Sequence, residues 1–279
     1  MSDPDTRKSI LITGCSSGIG YACAIGMRDA GWRVFAACRK AEDCARLQAE
    51  GFEAPLLDYT NDDSIHAALA EVLDATGGTL DALFNNGANG LAGAVEDLPT
   101  DALRAIFETN FFGWHTLTCA VIPVMRAQGH GRIVQCSSVL GLIIMRWRGA
   151  YNATKFALEG LTDTMRVELR GSGVHISLIE PGPTTSCFRI KAIPHFQKWI
   201  DWENSVHVEK YRRELLPRLY ESAGPDWFEL PASAVMPKLL HAVSHRRPRP
   251  RYYVTVPTYV GGMLRRLLPT RALDWVLSR

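Results

Sequence analysis

The sequence predicts an α/β fold: a doubly wound, mostly parallel sheet built as one domain over residues 1–279. Three observations predict it. Short β-rich apolar runs alternate with longer helical patterns along most of the chain. A glycine-rich turn joins the first apolar run to the first helix. No internal repeat or low-complexity linker divides the 279 residues, a length that α/β folds reach as one unit.

The strand candidates are SILIT (9–13), RVFAAC (33–38), FEAPLLD (52–58), LDALFNN (80–86), GRIVQCSS (131–138) and VHISLIEPG (174–182). Helical patterns lie between them at 18–31, 41–51, 61–77, 99–129 and 150–173. Parallel strands need crossovers, and these helices supply them on both faces of the sheet. Gly31, Gly51, Gly129 and Gly171 close helices as left-handed caps. Pro123 inside the fourth pattern predicts a bend there. After Pro181 the texture turns aromatic, with Phe196, Trp199, Trp202, Tyr211, Tyr220, Trp227 and Phe228, and reads as a helical substrate lid over about 187–230. A helix at 231–245, a late strand RYYVTV (251–256) and an amphipathic end follow, so that a C-terminal extension spans about 246–279.

Composition excludes several function classes. Hydrophobic residues at 47% and charged residues at 22% fit a globular core and not extended disorder. A net charge of +2 leaves no whole-protein footprint for nucleic acid. The polar start MSDPDTRKSI lacks the apolar core of a secretory signal, and no apolar run approaches the roughly 18 residues of a membrane span, so a cytoplasmic protein is expected. Cysteines at 15, 23, 38, 44, 119, 136 and 187 form no Cys-x-x-Cys pair and read as reduced, mostly buried thiols. The eight histidines are scattered, and no catalytic metal is expected.

The stretch TGCSSGIG (13–20) carries the first chemical signal. Gly14 permits a tight turn, Gly18 lets backbone approach a pyrophosphate, and Gly20 lets the helix pack closely with its amides toward the anion. The next strand ends at Cys38, Arg39 and Lys40. A carboxylate there would bond ribose hydroxyls, whereas a neutral residue followed by arginine offers a partner to a 2′-phosphate, which favours NADP(H) over NAD. Tyr151 and Lys155 lie four apart, on one face of a predicted helix, where an ammonium would lower the phenol pKa. Ser138 lies thirteen residues before Tyr151.

Gly-x-x-x-Gly-x-Gly, Tyr-x-x-x-Lys and the upstream serine together resemble the short-chain dehydrogenase/reductase family, of classical type, which implies a Rossmann-type fold and hydride transfer between a nicotinamide and a carbonyl or alcohol. The resemblance implies that Ser138 (rather than its neighbour Ser137), Tyr151, Lys155 and Asn110 (in ETNFFG) are catalytic. Ser138 polarises the oxygen, Tyr151 donates the proton, Lys155 tunes Tyr151 and binds ribose, and Asn110 supports a proton relay. It implies cofactor contacts at Gly14, Ser16, Gly18, Ile19, Gly20, Arg39 and Asp58. Asn85 joins them from NNGA, which exchanges the last two residues of the family's Asn-Asn-Ala-Gly, as do Tyr151, Lys155, and Pro181, Gly182, Thr184 and Ser186 of EPGPTTS. Dimers or tetramers through the helices near 100–128 and 150–170 are a further implication.

WRGAY and RYYVTVPTYVGGMLRRLLP look like the hydroxysteroid and retinol dehydrogenase-like branch and related bacterial NADP-dependent aldehyde reductases. With the aromatic lid they imply reduction of a bulky apolar aldehyde or ketone: a fatty aldehyde, retinoid or steroid-like carbonyl. A 3-oxoacyl thioester reductase is the alternative enzyme, and a non-catalytic NADP-binding sensor or scaffold the alternative of another class. HRRPRPR (245–251) with Arg265, Arg266, Leu267 and Leu268 is either a solvated basic loop or a weak peripheral contact with anionic lipid.

Overall fold

The computed structural model describes residues 7–186, 188–221 and 228–278, which leaves Cys187 and Trp227 outside the described residues. Its strands are β1 (Ser9–Thr13), β2 (Arg33–Ala37), β3 (Ala82–Asn85), β4 (Gly131–Cys136), β5 (Val174–Glu180), the short β6 (Thr184–Thr185) and β7 (Leu230–Pro231), and β8 (Arg251–Tyr253). Six form one parallel sheet in the order β2-β1-β3-β4-β5-β8, while β6 pairs with β7 alone. The order reverses between β1 and β3, and the crevice beyond their C-terminal ends is where open α/β sheets bind ligands.

The helices are α1 (Gly18–Asp29), α2 (Ala41–Ala49), α3 (Asp62–Thr76), α4 (Thr100–Phe107), α5 (Gly113–Ala127), α6 (Gly149–Glu168), α7 (Phe188–Trp199), α8 (Val208–Lys210), α9 (Leu216–Tyr220), α10 (Met236–Ser244), α11 (Val256–Leu267) and α12 (Thr270–Leu277). α1 packs against α10, and α3 against α5. The apolar runs of β1, β3 and β4 are fully buried beneath them, as parallel strands covered on both faces require. The expected doubly wound Rossmann-type sheet is therefore present. No helix among the described residues is long and apolar enough to cross a membrane.

Four details differ from the sequence reading. FEAPLLD forms isolated bridges beside β2 and not a continuous strand. Ala36 and Cys38 donate to the carbonyls of Glu53 and Pro55, and Leu57 donates to Cys38. The missing rung is the one that residue 55 would donate to Ala36, and proline has no N–H. Pro123 does not break its helix: Pro123 and Cys119, whose carbonyl loses its donor, both face solvent, where water replaces the bond. The irregularity lies upstream, in a π-turn at Glu108–Phe112 between α4 and α5. RYYVTV is a strand only through Tyr253, because Val256 and Pro257 open α11.

The aromatic segment is the fourth. Phe196 and Tyr211 are fully buried in a second apolar cluster with Leu91, Ala102, Ile106, Ala150 and Leu215, against which Trp199 and Trp202 pack. The Tyr211 hydroxyl donates to Asp97 Oδ2 at 2.8 Å and accepts the Ala94 N–H at 2.8 Å. These rings build a core of their own, while Tyr220 and Phe228 are exposed.

Candidate active site

The turn after β1 interlocks backbone to backbone with the turn after β3. Gly14 has φ +69°, and a Cβ there would lie 2.5 Å from Gly87 Cα. A Cβ on Gly20 would lie 2.5 Å from the Gly14 carbonyl oxygen. Thr13 Oγ1 accepts the N–H groups of Asn86 (2.9 Å) and Gly87 (3.2 Å), and Asn86 Nδ2 donates to the Thr13 carbonyl at 3.0 Å. In NNGA the glycine at 87 eases this contact, because a Cβ there would already be 3.3 Å from Gly14.

The Asn85 side chain turns inward. Its amide is fully buried and engaged on all sides: Nδ2 donates to Thr118 Oγ1 and Gln135 Oε1, both at 3.0 Å, and Oδ1 accepts from Tyr59 at 2.7 Å. It holds the end of β3 from within, and the amide that faces the glycine turn belongs to Asn86, which sequence reasoning passed over as its repeat.

The N-terminus of α1 is open. Ser17 is extended and makes no side-chain cap, and the first turn carries no acid. By contrast, α3 is capped by Asn61 and carries Asp62 and Asp63 in its first turn. The free amides and dipole of α1 suit an anion. The Ser16 and Ser17 hydroxyls accept instead from Lys191 Nζ, at 3.1 and 2.8 Å, reaching across from α7. Beside it, burial and then the Arg39 charge hold His195 of α7 below its ordinary pKa. Lys191 was missed because a lone lysine in an irregular aromatic segment matches no spacing rule. Its only signal was its place soon after the Pro-Gly loop.

The remaining predicted contacts distribute around this turn. Ile19 is half-buried in the first turn of α1. A Cβ on Gly18 would lie 3.3 Å from Ser186 Cβ, so that Ser186 closes over the turn, whereas Thr184 sits in β6 opposite Leu230. Pro181 accepts the Val139 N–H at 2.8 Å, and Gly182 packs against Thr255. Asp58 Oδ1 accepts from the Thr60 N–H (3.0 Å) and hydroxyl (2.9 Å), closing the turn before α3. An uncapped helix, a cradle that a Cβ would obstruct and a cation above it fit a dinucleotide with its phosphates at Gly14–Gly20.

Ser138, Tyr151 and Lys155 converge where β4 ends. Lys155 is 1% exposed; its Nζ donates to the Cys136 carbonyl at 2.7 Å and lies 4.3 Å from the Trp114 ring centroid and 5.6 Å from that of Tyr151. Burial pushes its ammonium down to about 8. Burial also pushes the Tyr151 phenol up, against the pull of its hydrogen bond with Ser138 and of the Arg148 charge. The expected lowering of Tyr151 by Lys155 is thus reversed in this structure, because desolvation outweighs the neighbours. Ser138 is only half-buried, and its Oγ also accepts the Leu140 N–H at 3.1 Å, whereas Ser137 is buried inside.

Asn110 lies in the π-turn and is fully buried. Its Oδ1 accepts the Asn89 N–H at 2.8 Å, and its Nδ2 donates to the Asn89 carbonyl at 2.9 Å. It therefore pins the loop after β3, with a longer contact of 3.4 Å to Thr154. Phe188 of α7 stands edge-on to Tyr151 with centroids 5.2 Å apart, in space left by Gly90, where a Cβ would come within 2.7 Å of the ring. Phe188 is a second site neighbour that the motifs did not mark.

Comparison with known proteins agrees with this geometry. The short chain dehydrogenase family pattern matches residues 8–195. The uncharacterized oxidoreductase YbbO of Escherichia coli is 39% identical over 273 residues, covering 98% of this chain and 94% of its own. Human retinol dehydrogenase 8 is 36% identical over 196 residues, covering 67% of this chain and 62% of its own. A short chain dehydrogenase/reductase from Burkholderia phymatum, solved in complex with NAD, superposes with a TM-score of 0.77 at 26% identity, covering 99% of this chain and 97% of its own. With the glycine cradle, the serine, tyrosine and lysine at the end of β4 and this breadth of similarity, the chain belongs to the short-chain dehydrogenase/reductase family of oxidoreductases.

Proposed function

We propose that the chain is an NADP(H)-dependent reductase of bulky apolar aldehydes or ketones. The observation that carries the reading is the convergence of Ser138, Tyr151 and Lys155 beside an uncapped helix and its glycine cradle. A nicotinamide dinucleotide held by the Gly14–Gly20 turn would supply the hydride for the carbonyl carbon. Ser138 donates a hydrogen bond to the carbonyl oxygen, and Tyr151 gives that oxygen its proton. Lys155, fixed by the Cys136 carbonyl, stands as the cation that offsets the phenolate left behind. Asn110 is a positioning residue that holds the Asn89 loop against α6.

Several features support NADP(H). The end of β2 offers the neutral Cys38 followed by the exposed Arg39, and α7 adds Lys191 to the serines of the turn. These cations complement a phosphate-rich cofactor. The apolar substrate is supported by Phe188 over Tyr151 and by the similarity to a retinol dehydrogenase. In this reading α7 is part of a lid, and Phe188 turns aside to admit substrate.

The test is oxidation of NADPH, with NADH alongside, against long-chain aldehydes, retinal, steroid ketones and acetoacetyl thioester. NADPH-dependent turnover that falls at least about 100-fold in Tyr151→Phe is expected. Tight NADPH binding without turnover on any carbonyl would overturn the enzyme reading, and preference for the thioester would overturn the substrate class.

A further inference from the structure

Helix α11 turns the usual arrangement of an amphipathic helix around. The face it buries is small: Thr258, Gly261 and Gly262, where a Cβ at 261 would lie 2.9 Å from Ile143 and one at 262 would lie 2.7 Å from the Tyr253 hydroxyl. The face it exposes is large and apolar: Val256 (52%), Tyr259 (52%), Val260 (42%), Met263 (52%) and Leu267 (73%). Their spacing places all five on one stripe, about 17 Å long at the helical rise. On the adjoining α12, Trp275 is exposed as well.

A cavity of about 220 Å³ opens at the edge of this stripe, sharing Tyr259 and Arg266 of α11 with Lys238, Arg249 and Arg251. Arg251 is consumed by Glu159 (2.9 Å), Asp163 (2.8 Å) and Glu180 (3.1 Å). Lys238, Arg249 and Arg266 form no ion pair among the described residues. Three uncompensated cations around one hollow select an anion of phosphate type, and Arg246 and Arg247 add exposed positive charge beside it.

We propose that this face docks on an anionic phospholipid surface, with the α11 stripe at the level of the acyl chains and a headgroup phosphate in the Lys238–Arg249–Arg266 hollow. The pairing of an apolar stripe with flanking lysine and arginine is the chemistry of interfacial helices. A second copy of this chain is the weaker partner, because self-pairing would set these cations against one another.

The test is co-sedimentation of the full chain with phosphatidylcholine vesicles with and without phosphatidylglycerol. Binding to the anionic vesicles alone is expected, weakening as salt rises. Affinity falls at least about tenfold in Met263→Glu/Leu267→Glu and, independently, in Arg249→Ala/Arg266→Ala. Unchanged circular dichroism melts confirm that these exposed variants fold. Absence of binding to anionic vesicles overturns the proposal, as does equal binding to neutral ones. A dimer dissociated by Met263→Glu/Leu267→Glu without vesicle binding assigns the face to a second copy. Thermal protection by inorganic phosphate without vesicle binding assigns the hollow to a free anion. Either result overturns the membrane assignment.

Discussion

Gly14→Ala probes the interlock of the two turns. Two costs follow from the geometry. The backbone at φ +69° disfavours any side chain by about 1–2 kcal/mol. The new Cβ also meets Gly87 Cα at 2.5 Å and Gly87 N at 2.9 Å, both backbone atoms that no rotamer change can clear. Displacing the β3 turn adds an overpacking cost of about 1–3 kcal/mol. Gly31→Ala isolates the first cost, since Gly31 has φ +84° with nothing within 4 Å of its Cβ position. At about 3 °C per kcal/mol, Gly31→Ala lowers Tm by about 5 °C and Gly14→Ala by a further 3–9 °C or so. Scanning fluorimetry on the cofactor-free protein measures both. If the two variants melt together, the backbone contact between the turns carries no energy and the interlock is refuted.

Lys191→Ala weakens NADPH binding by about fivefold, or about 1 kcal/mol for an exposed cation, in a titration calorimeter. Arg39→Ala weakens NADPH by a similar factor and leaves NADH unchanged; equal loss for both cofactors would place Arg39 away from a 2′-phosphate. Lys155 keeps its charge below about pH 8, so kcat/KM for NADPH falls as pH rises through that value, and a flat profile to pH 9.5 contradicts the assignment. The same depression, from an ordinary 10.5, means that the unfolded chain holds the extra proton between about pH 8 and 10.5. Urea stability of the wild type relative to Lys155→Met therefore rises from pH 7 to pH 9.5. Asn110→Leu strips both partners from the Asn89 backbone and lowers unfolding free energy by at least about 2 kcal/mol, read by urea titration.

The sheet was legible because its strands are written as buried apolar runs, Tyr151 and Lys155 because a spacing of four sets them on one helix face, and Ser138 through its resemblance to the family's spacing. What escaped depended on tertiary context. Pro55 and Pro123 carry the same residue-level signal. One interrupts an edge ladder, and the other is harmless because its orphaned carbonyl faces water. The rings of Phe196 and Tyr211 read as lid lining, yet only the fold reveals that Leu91, Ile106 and Ala150 lie beneath them as a core. Tyr151 was misjudged in pKa direction because a pairwise spacing shows the neighbouring cation but not the desolvation that opposes it.

The π-turn at Glu108–Phe112 has a consequence for both cores. Before it, α4 presents Ala102 and Ile106 to the second cluster; after it, α5 presents Trp114, Leu117, Val121 and Met125 to the sheet. One extra residue in a helix shifts the phase of everything downstream by about 100°. The π-turn thus works as a coupling that lets one continuous rod serve two partners out of step. Deleting a single residue here would regularise the helix locally, but it would rotate the apolar face of α5 off the sheet.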